Sequence, residues 1–318
     1  MKKCIFPILI LLLLLLFVID LMVGAADIPL SALWTDGLEH RILMQLRLPK
    51  ALTAVIAGVA LSLSGLQMQT LFRNPLAGPS VLGVSSGATL GVAFLVMLGS
   101  VLGFSAASGW MILCAVLGAM LILLVVLFIS FRVQGGATLL IVGMMIGSVA
   151  GALVNVLQNY ADPDSLKLYI TWTLGSLAAV GWAEMRWLVA LFLAGTALAI
   201  LLIKPLNGLL LGEDYAASLG IPVRRVRTLL ILSTGLLAGG VTAFCGPIAF
   251  VGVAVPHIAR GLMRTSNHRL TLPAAALVGA DLLLLCDIIC YSATYPLPIS
   301  TVSALFGAPI VIWVILRR

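Results

Sequence analysis

Residues 4–26 read CIFPILILLLLLLFVIDLMVGAA, an apolar run preceded by Lys2 and Lys3. A cleavable signal has an apolar core of about 7–15 residues, whereas a helix needs roughly 20 to cross a bilayer. The basic pair and the small residues Gly24, Ala25 and Ala26 suit a signal peptide, but the length of the run suits a retained first transmembrane helix. The retained helix is the reading adopted.

Similar windows follow along the chain, near 50–71, 80–99, 108–130, 137–158, 187–203, 227–244, 248–263, 272–292 and 298–316. The window at 248–263 is short and carries Pro256 and His257. Composition agrees with the windows. Of 318 residues, 62% are hydrophobic and 9% charged, with a mean hydropathy of +1.21. Soluble domains carry about 25% charged residues, so this chain cannot cover itself with a polar surface. At about 30 residues per span and connection, the length allows about ten crossings and leaves nothing for a soluble domain. The expectation is an all-α polytopic membrane protein, one domain over residues 1–318.

A net charge of +7 would suit nucleic acid, but the charges fall in short clusters between apolar runs. That pattern orients a membrane protein. With the N-terminus inside, ten spans place Lys2, Lys3, Arg73, Arg132, Lys204, Arg224, Arg225, Arg227, Arg260, Arg264, Arg269, Arg317 and Arg318 on the cytoplasmic side. Arg41, Arg47, Lys50, Lys167 and Arg186 fall outside, together with Asp27, Asp36, Glu39, Asp162, Asp164 and Glu184. Both termini are then cytoplasmic. The excess inside supports the threading, because losing one span would reverse every later loop.

No G-x-x-x-x-G-K-[ST] phosphate cradle exists, and none of Lys2, Lys3, Lys50, Lys167 and Lys204 follows a glycine. The chain has no P-loop for ATP; an ATP-driven machine would need a partner ATPase. The segment Leu211 to Pro222 could meet such a partner: a short helix that breaks at Gly220 and resumes at Pro222 before Arg224, Arg225 and Arg227. It reads equally well as an ordinary helix connection with a basic cluster.

Gly83-Gly87-Gly91 and Gly143-Gly147-Gly151 have the spacing that lets membrane helices approach closely. Gly83-Val84-Ser85-Ser86-Gly87 matches the serine-hydrolase elbow, but it opens a membrane helix instead of joining a strand to one. Cys286 and Cys290 read as apolar packing residues and His257 as a structural histidine. Asp287 is expected near the outer end of its span, within reach of water. Asp281 lies closer to the middle, where a structural hydrogen bond between helices is favoured over a pathway role. Asn155 and Gln158 are polar residues one turn apart, suited either to lining a pathway or to packing.

The run Arg47-Leu48-Pro49-Lys50, Gly58, Gly65, Gln69, Asn74-Pro75-Leu76-Ala77, Leu82-Gly83 and Gly87-Ala88 resembles the permease family for iron chelates, haem and cobalamin. So do Gly246-Pro247-Ile248-Ala249-Phe250-Val251-Gly252, Pro256-His257-Ile258-Ala259-Arg260, Trp172, Gly175-Ser176-Leu177, Trp182, and the ending from Leu297-Pro298 to Gly307-Ala308-Pro309. The likeness runs almost end to end. It implies a ten-span type II ABC importer permease of the bacterial cytoplasmic (inner) membrane, moving a ferric siderophore, haem or cobalamin. The implied partners are a second permease copy, two ATP-binding cassette subunits and an external substrate-binding protein. ATP and Mg2+ would sit on the ATPase, and this chain would carry no cofactor and no catalytic residue.

By the same resemblance a coupling loop at about 207–225 docks on the ATPase through Gly212, Glu213, Ala216, Ala217, Leu219 and Gly220. Arg47 and Lys50 match positions that meet acidic residues of the binding protein. A further arginine often follows the aspartate of the ninth span; Tyr291 stands four residues after Asp287 here. The positions matching a cytoplasmic gate are Gly135, Gly136 and Ala137, which lack hydroxyls, so a gate there would close by backbone packing. A secondary transporter driven by an ion gradient is the rival reading, with Asp281 as its main support.

Overall fold

The computed structural model describes residues 2–24, 28, 34, 37–99, 108–133, 135–293 and 295–316. Ala25 and Ala26 of the signal-like segment, and Asp27, Asp36, Arg317 and Arg318 of the charge count, lie outside the described residues.

Helices account for every regular element among the described residues apart from short 3-10 turns. Seven are long and apolar enough to span a bilayer: α1 (Lys2–Met22), α2 (Leu38–Leu71), α4 (Ser108–Arg132), α5 (Gly136–Tyr160), α7 (Trp182–Leu201), α10 (Val223–Cys245) and α12 (His268–Ser292). Three shorter apolar helices complete the expected set: α3 (Val84–Leu98), α11 (Val251–Met263) and α13 (Ile299–Leu316). Between these run α6 (Pro163–Thr173), α8 (Ile203–Leu209) and α9 (Glu213–Ser218). Each apolar window read from the sequence holds one helix.

Several boundaries move, for local reasons. The second helix begins at Leu38 rather than near residue 50, continuing through a wide π-type turn at Leu43–Arg47. The third starts late because Pro79–Leu82 forms a 3-10 turn that ends on left-handed Gly83 (φ 72°). The span expected from 248 begins at Val251, after Gly246 (φ 76°) and Phe250 (φ 63°) have turned the chain. A positive φ is uncommon for a bulky residue; here the Phe250 ring lies against Gly307 of α13, where no Cβ intervenes. Helix α6, expected only as loop, is started by the Asp162 carboxylate, which accepts from the Ser165 N–H at 2.9 Å, with Pro163 at its first position.

α2 is the central post. In its apolar window 78% of residues are buried, as in that of α10, against 17% for α1 and 22% for α5. α12 and α11 both pack on α2 and on each other. The approach is set by missing side chains: a Cβ on Gly58 would strike the Gly279 carbonyl, and one on Gly65 the Gly252 carbonyl. Gly87 and Gly91 likewise seat α3 against Gly118 and Cys114 of α4. In lipid, where apolar burial gives little preference for helix contact, such close packing is a main attraction. One continuous core runs from Leu9 to Val302 and includes Cys245, Cys286 and Cys290. The outer faces of α1, α4, α5, α7 and α13 present large apolar side chains.

Candidate functional site

The segment at 207–225 forms a compact double bend at one end of the bundle. α8 stops, Gly212 (φ 112°) turns the chain, and α9 runs for six residues. Gly220 (φ 79°) and Pro222 then redirect it into α10. Both glycines hold backbone angles that L side chains avoid. Ala216 is fully buried, and its carbonyl accepts from the Ile221 N–H at 3.0 Å. Ala217 faces solvent, as do Leu211, Tyr215 and Leu219 at 61%, 53% and 58% exposure. The short helix and its two flanks therefore present apolar side chains outward, while its inner side anchors it.

Glu213 supplies the anchor. Its two carboxylate oxygens accept from Arg227 Nη2 at 2.9 and 2.7 Å. Arg227 is buried in α10, and its Nη1 donates to the Val133 carbonyl at 3.1 Å. Val133 follows α4 directly, just before Gly135, Gly136 and Ala137. The structure thus brings the candidate gate to the same end as the candidate coupling helix. Gly135 (φ 86°) leads into α5, and a Cβ on Gly136 would lie 2.8 Å from the Leu71 carbonyl at the end of α2. Ala137 is exposed. Asn155 and Gln158 sit near the other end of α5, exposed and half-buried respectively, far along the helix from this cluster.

A polar network braces the coupling end. His268 Nε2 bonds Thr70 Oγ1 at 3.0 Å, and its Nδ1 bonds Asn207 Oδ1 at 2.9 Å, linking α2, α8 and α12. Arg260 donates to Gln69 Oε1 at 2.6 Å. His257 bonds the Pro75 carbonyl at 2.7 Å, the role of a structural histidine. Ser85 bonds Thr242 Oγ1 inside the helical packing, with no histidine in the interaction.

At the opposite end, Arg47 and Lys50 are buried, not displayed. Arg47 Nη1 donates to the Leu21 and Met22 carbonyls at 2.9 and 2.7 Å, closing the C-terminus of α1. Lys50 Nζ lies 3.2 Å from Asp20 and 2.5 Å from Asp287, and 4.2 Å from the centre of the Tyr291 ring. Asp287 is therefore sealed inside, where the sequence suggested contact with water. Tyr291, at the place of an expected arginine, covers the lysine. Asp20 was not singled out from the sequence, although a lone carboxylate in an apolar run of that length is signal enough. Asp281 is 6% exposed, and both its oxygens are buried without a hydrogen-bond partner among the described residues. The helix–helix hydrogen bond favoured for it is not formed among the described residues.

The profile of the FecCD transport family matches residues 12–317. The vitamin B12 import system permease protein BtuC of Klebsiella pneumoniae is 38% identical over 310 residues, which is 96% of this chain and 92% of that protein. The protein of the same name from Salmonella typhi is 37% identical over 287 residues, 89% of this chain and 86% of its own. A solved metal-chelate type ABC transporter in an inward-facing conformation superposes with a TM-score of 0.89 at 32% identity, covering 100% of both chains. PsaBC from Streptococcus pneumoniae shares the fold, with a TM-score of 0.60 at 18% identity over 89% of this chain and 92% of that one. The architecture is the type II ABC importer permease fold that the sequence led us to expect. With the profile spanning nearly the whole length, the chain belongs to the FecCD transport family.

Proposed function

We propose that this chain is the membrane subunit of a binding-protein-dependent importer for a metal chelate. Two copies work with two ATPase subunits that hold ATP and Mg2+ and with an external binding protein. Relatives at 37–38% identity are named for vitamin B12 import and the superposed structure for metal chelates, so a cobalt or iron chelate is the cargo class. The end carrying α9 faces the cytoplasm, as the distribution of Lys and Arg supports, and the termini lie on that side.

The observation that carries this reading is α9 and its flanks, where Leu211, Tyr215 and Leu219 are exposed and the helix is pinned through Glu213 to the buried Arg227. A solvent-facing apolar surface held rigidly is suited to receive a push from a soluble motor. The permeases meet through the exposed apolar faces of α5 and α13, and two-fold closure puts the pathway on their shared axis. Cargo passes between the copies, and no bond is made or broken here. On the outer face the acidic lobes of the binding protein meet the exposed cations Arg41, Lys167 and Arg186. Arg47 and Lys50 support that platform from inside.

The test is assembly. The wild-type chain should co-purify with its ATPase subunit in equal amounts. Leu219→Glu, a change on an exposed surface, should abolish that association without lowering yield or thermal stability. Undiminished association of the variant would remove α9 as the docking element.

A further inference from the structure

We infer that Arg227 is a positioning residue for transport: it ties the motor-facing helix α9 to the linker between α4 and α5, so that displacement of one is delivered to the other. This rests on the importer reading above.

The guanidinium is a rigid planar fork. One arm is clamped by both oxygens of Glu213, at 2.9 and 2.7 Å, and the other reaches the Val133 carbonyl at 3.1 Å. Val133 O belongs to the group of carbonyls a helix leaves unpaired at its C-terminus, so Arg227 also caps α4. The consecutive helices α9 and α10 are thereby joined to the sequence-distant end of α4 through one buried side chain. With only six residues, α9 is too short to hold its orientation alone, and the clamp on Glu213 supplies it.

The linker is built to respond. Among the described residues, nothing beyond its chain neighbours lies within 4 Å of a Cβ built on Gly135 (φ 86°). Gly136 packs directly on the Leu71 carbonyl. Arg73, two residues beyond Leu71, approaches the N-terminal end of α9, its Nη1 lying 3.4 Å from where a Cβ on Gly212 would stand. A movement of α9 therefore reaches the start of α5 by two routes, through Arg227 and Val133 and through Arg73 and the end of α2. The first route passes entirely through charged hydrogen bonds, which combine strength with fixed direction. Helix α5 carries the exposed face proposed to border the pathway, so its cytoplasmic start is where a motor movement has to arrive.

Arg227→Lys keeps the charge but cannot hold Glu213 and Val133 together; Glu213→Gln keeps the shape and loses the charge. Each variant is to be assembled with its ATPase and binding protein in proteoliposomes, with ATP hydrolysis, cargo uptake and subunit stoichiometry read separately. We expect uptake per ATP hydrolysed, normalised to the assembled complex, to fall about tenfold, the worth of one charged hydrogen bond. The double variant should lose no more than the worse single one, because both cut the same connection. Parallel loss of hydrolysis and uptake, or an unchanged ratio, would overturn the relay. Should Arg227→Lys fail to accumulate, the half-buried Glu213→Gln carries the same readout. Absence of ATP-driven uptake by the wild type would instead refute the importer reading.

Discussion

Lys50 and Asp287 form an ion pair sealed within the bundle: Nζ and Oδ2 are 2.5 Å apart, with side chains 5% and 2% exposed. The pair fastens α2 to α12, and Asp20 at 3.2 Å brings in α1. Two buried carboxyl groups share one ammonium, which lies between them as their common partner.

Removing the lysine should be costly. Lys50→Met leaves Asp20 and Asp287 facing each other without a cation, and breaking a buried pair in this way costs about 3–5 kcal/mol. The melting temperature in detergent and the yield should both fall. Adding Asp20→Asn and Asp287→Asn should restore much of the loss, since replacing a whole buried ion cluster is far milder than breaking it. Wild-type stability of the single variant would show that the cluster does not hold the helices.

Arg47 gives a second, separable test. Its guanidinium closes the last turn of α1 through the Leu21 and Met22 carbonyls, so Arg47→Gln should lower stability by roughly 2 kcal/mol. Once the protein is assembled, stimulation of the ATPase by the binding protein should remain. Selective loss of stimulation at unchanged melting temperature would return Arg47 to the docking surface.

The glycines distinguish packing within one copy from packing between copies. Gly65→Ala would drive a methyl group into the Gly252 carbonyl, forcing α2 from α11 at roughly 1–3 kcal/mol. Gly151 on α5 has nothing outside its own helix within 4 Å of its Cβ position among the described residues, so Gly151→Ala should leave an isolated chain as stable as before. If α5 lies between two copies, as proposed, this substitution should weaken the dimer measured by cross-linking. Equal effects of both changes on monomer stability would contradict the packing described.

Most of the fold was legible because membrane crossings are written in runs of adjacent residues. The ten windows, the break of the chain at Gly220 and the Gly83-Gly87-Gly91 contact surface all depend on local sequence. The cluster around Lys50 was not legible in this way. Its members lie on three helices far apart in the chain, and an outer-loop lysine looks the same whether it faces solvent or turns inward. Arg227 was likewise read as one of a basic cluster that orients the membrane; only the fold shows Glu213 and Val133 on its two sides. Helix α6 could have been found from Asp162-Pro163, an N-cap followed by proline at the first helical position. Asp281 sits on the expected span, but its missing partner could be seen only once the neighbouring helices were in place.

Cargo movement in a sealed, defined system tests the central claim most directly. Proteoliposomes containing this chain, its ATPase and its binding protein should accumulate a labelled cobalt or iron chelate only while ATP is hydrolysed. Accumulation by the chain alone, driven by a proton or sodium gradient without nucleotide, would contradict the account.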